Sequence, residues 1–180
     1  FRRQRQMCIR DSNWGPARVH MGVEVAGSPR EAWDRWFLHE PSEAMVARET
    51  ARRWLDTAHG QGMHVCTLDS PIYPPLLREC TDAPPVLFWR GTWPSHQAWS
   101  RTLAVVGTRN CTSDMARMAF NVAGDWSSAG GTVVSGLARG IDGQAHRGVL
   151  KGARSHAQVA VLPCALGRVF PLSLIHISEP

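Results

Sequence analysis

Two short stretches of this 180-residue chain hold the residue types that handle phosphate. Gly107-Thr108-Arg109 and the run from Ser135-Gly136 to Arg139-Gly140 each set glycine beside arginine, and Arg147 follows seven residues later. Glycine lets an anion approach the backbone, and exposed N–H groups at a following helix start supply donors and partial positive charge. Arginine adds a permanent charge whose forked donors match phosphate oxygens. Asp142 and His146 stand i, i+4, a spacing that puts both on one helix face, where an Asp-oriented general base could form. No nucleophile or metal cluster accompanies that pair, so the spacing points to structural roles for both, with His146 hydrogen-bonded. On spacing alone the glycines are weak signals: G-x-G-x-x-G and G-x-x-x-x-G-K-[ST] are both absent.

The elements around these residues alternate. Residues 102–106, TLAVV, form a buried-type strand that runs into Gly107. Thr112 or Ser113 caps a helix expected to continue through Ser128, Gly130-Gly131 turns the chain, and residues 132–135 make the next strand. Residues 141–150 form a short helix that Gly152 ends, and residues 158–162 a third strand. This β-α-β-α-β order implies a parallel, doubly wound sheet, in which ligands bind beyond the carboxyl ends of the strands. Both glycine loops follow strand ends there.

Upstream the texture is helical. Ser28-Pro29-Arg30-Glu31 has the form of a capping box with Pro at the first helical position, and Ala32, Trp33, Trp36 and Phe37 recur at helical spacing as core residues. A second helix starts at Pro41-Ser42-Glu43, carries a stripe of Ala44, Ala47, Ala51, Leu55 and Ala58, and stops at Gly60. Residues 13–62 are therefore expected to be a small helical domain and residues 63–172 an α/β domain. The α/β domain opens with a short strand at 63–68, a Tyr73-Pro74-Pro75 turn and a strand at 85–89.

Both ends differ from the rest. Residues 1–12, FRRQRQMCIRDS, and residues 173–180, SLIHISEP, resemble translated read-through of a sequencing adapter and are expected to be non-native. The formal charge is +5, but it is uneven: residues 13–100 carry net −2 and residues 101–172 net +5. A polyanion would sit on the second half. The five cysteines form no C-x-x-C pair and no zinc-ligand spacing, which argues against a disulfide framework or a metal site. No apolar run reaches the length of a membrane span, so no membrane partner and a cytoplasmic location are expected.

The strings YPPLLREC and PPVLFWRG, then AVVGTR, VVSGLARGIDGQAHRGVL and VAVLPCALGRVFP, resemble the signature series of the DprA/Smf family in the right order. The most specific part is SGLARGID at 135–142 with Ala145-His146. The family resemblance covers about residues 63–171 and implies a Rossmann-like, non-enzymatic protein without a cofactor that binds single-stranded DNA, dimerises and loads RecA onto the strand in natural transformation. Carried onto this sequence, it implies DNA or phosphate contacts from Gly107, Thr108 and Arg109, from Ser135, Gly136, Ala138, Arg139 and Gly140, and from Arg147. Asp142 and His146 take structural, orienting roles. Phe170 departs from the family's usual Tyr before Pro171. The second half of the family sheet, with its homodimer surface, is expected to be missing beyond that point. A different class of function remains open, a nucleotide-binding or nucleotide-hydrolysing protein of the phosphoribohydrolase or sensor type. It would be expected to carry PGG-x-GT-x-x-E, of which only Gly130-Gly131-Thr132 is present.

Overall fold

The computed structural model describes residues 16–39, 41–152, 158–162 and 166; the terminal segments 1–12 and 173–180, and most of the VLPCALGRVFP string, lie outside the described residues. The chain divides into two compact units, Phe1–Gly91 and Thr92–Pro180. The division falls later than residue 62 because the first strand continues from the preceding helix, whose Ala58 carbonyl accepts from Met63 N at 2.8 Å.

In the first unit, α1 (Pro16–Ala26), which the sequence pattern does not announce, precedes α2 (Pro29–Trp36) and α3 (Pro41–Gly60). Ser28 caps α2, its hydroxyl accepting from Glu31 N at 3.2 Å. Such a cap contributes about 1 kcal/mol. Trp33 stacks obliquely on Phe37, with ring centroids 4.4 Å apart, and the Arg48 guanidinium lies 5.4 Å from the Trp33 ring. The expected alanine stripe of α3 is buried only at Ala58, while Leu55 stays exposed. Alanine offers too little apolar area to pull a 20-residue helix down along its whole length. The strands β1 (His64–Thr67) and β2 (Val86–Trp89) pair antiparallel, His64 opposite Trp89. Between them α4 (Pro75–Arg78) follows Tyr73, which is fully buried and donates its hydroxyl to Pro84 O at 2.7 Å. Burial pushes the Tyr73 phenol up to about 12.

In the second unit a short helix, α5 (His96–Trp99), precedes β3 (Thr102–Ala104), α6 (Ser113–Ser128), β4 (Thr132–Ser135), α7 (Ile141–Lys151) and β5 (Gln158–Ala160). The three strands are parallel in the order β3-β4-β5, with Leu103 level with Val133 and Val133 with Gln158. Both crossovers step the same way across the sheet. Right-handed connections therefore lay α6 and α7 on one face, where they pack on each other. Alternation along β4 turns Val133 and Ser135 to that face and Thr132 and Val134 to the other. Ala123, Val133, Ala145 and Val149 have no exposed surface at all, and Val105 and Trp126 close around them. Among the described residues no helix is long and apolar enough to cross a membrane.

The helix pair packs closely because it is built on small residues. A methyl group added at Gly148 would overlap the carbonyl of Phe120, a backbone group that cannot swing aside. Gly148→Ala should therefore destabilise the fold by about 1–3 kcal/mol, through forced separation of the helices. Gly60→Ala, at the end of α3 with open space around the site, should change stability by no more than about 1 kcal/mol and in the stabilising direction. Urea unfolding of the two variants beside the parent chain checks both.

Candidate functional site

The site forms where β3 and β4 hand over to their loops and α7 begins. Ser135, buried at the end of β4, donates its hydroxyl to Val105 O at 2.6 Å and so ties the ends of two strands together. The chain then bends sharply. Leu137 lies in the left-handed region at φ 52°, unusual for a residue with a side chain, and is held there by near-complete burial of that side chain. Gly140 has φ 84° and ψ −131°, a conformation open only to glycine, and any Cβ there would meet the Thr108 and Arg109 carbonyls. The two loops therefore touch at this point.

Asp142, in the first turn of α7 and 6% exposed, joins them from below. Its Oδ1 accepts from Gly107 N and its Oδ2 from Gly136 N, both at 3.1 Å. Further bonds close the arrangement: Ile141 N donates to Thr108 O at 3.2 Å and Gly143 N to Ala138 O at 2.9 Å. This differs from the expectation that the glycine and helix-start N–H groups stand free for an incoming phosphate. An internal carboxylate already takes the Gly107 and Gly136 N–H groups, and loop carbonyls take those of Ile141 and Gly143. Thr108 likewise turns its hydroxyl inward on its own loop, accepting from Asn110 N at 3.2 Å.

What remains free is the arginine side chains. Arg109 and Arg139 are exposed and, among the described residues, neither has an ion-pair or hydrogen-bond partner. Contact between Gly140 and the Arg109 backbone brings the two into neighbouring positions. Arg147 is exposed too, but it lies seven residues beyond Gly140, about 10 Å along α7 by helical rise, on the solvent face with Lys151. It extends the basic surface rather than joining the pair. This positive edge follows the sequence charge split.

His146 sits apart from this edge. It is 1% exposed, and its Nδ1–H donates to Gln158 Oε1 at 2.9 Å, so it fastens α7 to β5. Asp142 and His146 share a helix face as their spacing implies, yet each side chain is committed elsewhere and no Asp-His hydrogen bond forms. Burial pulls the His146 imidazole below its ordinary value of 6.5, opposed by the Gln158 bond, the Ser135 backbone and the Asp142 charge. The Gln158 partner lies too far along the sequence for spacing to suggest it. Among the described residues no group of three or more metal-binding side chains comes together.

Comparison with known proteins gives this geometry a context. The family model described as DNA recombination-mediator protein A matches residues 64–179. Protein Smf of Escherichia coli K12 is 35% identical over 167 residues, which cover 91% of this chain and 41% of that protein. DNA processing protein DprA of Bacillus subtilis is 28% identical over 119 residues, 66% of this chain and 39% of the relative. The X-ray structure of DNA processing protein A from Streptococcus pneumoniae superposes with a TM-score of 0.55 at 24% identity, covering 87% of this chain and 51% of that one. The chain thus shares the mixed α/β, Rossmann-like fold of that structure and spans about two fifths of the length of the curated relatives it matches.

The buried imidazole has a consequence for stability against pH. With its folded value depressed, His146 is neutral in both states above about 6.5. Below that the unfolded chain binds a proton first, so stability is lost as pH falls. The loss should be at most about 1.4 kcal/mol per pH unit from this one group. His146→Gln, which keeps an amide donor toward Gln158, should flatten the urea midpoint between pH 7 and pH 5.

Proposed function

The chain belongs to the DNA recombination-mediator protein A family, and from that premise we propose that it binds single-stranded DNA without chemistry, gripping strand phosphates at the edge around Gly140. The observation that carries this reading is the pair Arg109 and Arg139, two exposed arginines without partners among the described residues, on loops whose backbones touch at Gly140. A single strand presents a repeating phosphate to such a pair, and a charged hydrogen bond of this kind contributes about 1.5–3 kcal/mol. The net +5 of residues 101–172 favours the same partner.

Two further features support a sequence-tolerant grip without turnover. The charged side chains of the loops at 107–112 and 135–140 are arginines alone, and a phosphate contact carries no base information. Asp142 and His146, the pair with a catalytic spacing, are both buried and bonded elsewhere, which supports binding rather than turnover. On the family resemblance of the motif series, the proposal extends to passing the strand to RecA in the bacterial cytoplasm during transformation or recombination, with homodimer formation left to the full-length family protein.

Titrating the 180-residue chain with a dT oligomer and, separately, with AMP and ADP tests the reading. Affinity for dT should fall with salt at a slope near −0.7 per phosphate neutralised, and an oligomer of another sequence should bind alike. Arg109→Ala should weaken binding roughly tenfold for every sequence and flatten the slope by about one contact. Arg30→Ala, on α2, should do neither. Saturable mononucleotide binding without a preference for oligomers would favour a nucleotide sensor instead.

A further inference from the structure

Arg109 and Arg139 can act together only if the loops that carry them are held at one separation. Those loops leave β3 at Gly107 and β4 at Gly136, and one carboxylate bonds the backbone of both. Arg109 stands two residues beyond the first bonded glycine and Arg139 three beyond the second. We propose that Asp142 is the positioning residue of the phosphate grip: by bridging Gly107 N and Gly136 N it sets the spacing of the two guanidinium groups. The proposal rests on the phosphate-binding reading above.

The chemistry at that point requires a carboxylate. Both donors are N–H groups, and an ionised carboxylate is acceptor-only, with an oxygen for each. An amide of the same shape has one oxygen to offer, and its NH2 would face the second N–H. Asp142→Asn therefore releases one loop while leaving the volume of the site unchanged. Asp142 also lies in the first turn of α7, the end of a helix that favours a negative charge by its dipole.

The brace can also be broken from its other side. A Cβ at Gly136 would stand 2.8 Å from Asp142 Oδ2, the free end of a side chain, so the carboxylate moves and the backbone does not. Gly136 lies outside the left-handed region, and alanine suits its backbone. Gly136→Ala should thus reproduce the effect of Asp142→Asn without touching the carboxylate itself.

The experiment measures dT-oligomer affinity against salt, with thermal unfolding, for Asp142→Asn, Gly136→Ala, their double variant, Arg109→Ala and Val149→Ala. Each brace variant is expected to bind about tenfold more weakly and to lose about one phosphate from the salt slope while still unfolding cooperatively above the assay temperature. The double variant is expected to be no weaker than the poorer single one, since both break the same bridge. Val149→Ala, which hollows the core under α6 and α7 away from the two loops, sets the structural benchmark: its binding should follow the folded fraction at an unchanged slope. A parental slope in both brace variants, or additive losses in the double, would overturn the positioning role. If Asp142→Asn does not fold, Gly136→Ala decides alone. An unchanged slope in Arg109→Ala would instead defeat the phosphate reading itself, an outcome distinct from failure of the brace alone.

Discussion

One buried carboxylate shared between two loop amides organises this site. Asp142 reaches Gly107 N and Gly136 N at equal distances, across 35 and 6 residues of sequence. Burying a charge is tolerated only when its lone pairs are taken, and here backbone donors take them. The same bonds satisfy two N–H groups that would otherwise be orphaned where the strands end. The anion position of the crevice is thus filled from within. The positive charge that faces outward is borne by side chains and not by the backbone.

The carboxylate can be there only because α7 is. Its first residue is fixed against the β3 loop by the Ile141 N to Thr108 O bond, and its middle is pressed onto α6 at Gly148, where a carbonyl replaces a side chain as the packing neighbour. Ala123, Ala145, Val133 and Val149 fill the space beneath. A core of such small residues gives modest apolar area but close approach of the helices. That closeness transmits the position of the helix pair to the start of α7, and from there to Asp142. From the middle of the helix the His146 bond to Gln158 holds α7 to β5.

Several elements were legible because their causes are local. Thr112 caps α6, which ends at Ser128, and residues 132–135 form β4 within the bounds expected from the pattern. Caps, glycines and a β-branched run act over a few residues and can be read one after another. The third strand is shorter than expected, ending its ladder at Ala160, because pairing depends on the register of β4 and not on apolar character alone. The helix α1 went unread since it has neither a strong apolar stripe nor an acidic first turn.

Read from the sequence by itself, this chain has a parallel α/β unit, a charge imbalance toward its second half, and two glycine loops at strand ends with arginines beside them. These follow from composition, period and the chemistry of single residues. Only the tertiary structure decided which groups are free. It gave the Gly107 and Gly136 N–H groups to an internal carboxylate, set the loops that carry Arg109 and Arg139 in backbone contact at Gly140, and left Arg147 farther along α7. It also divided a spacing that suggested an acid–base pair into two separate anchors, one on the loops and one on β5. The reason is physical: a hydrogen bond is decided by distance in space, and residues 35 apart in the chain meet only after the sheet and its helices have packed.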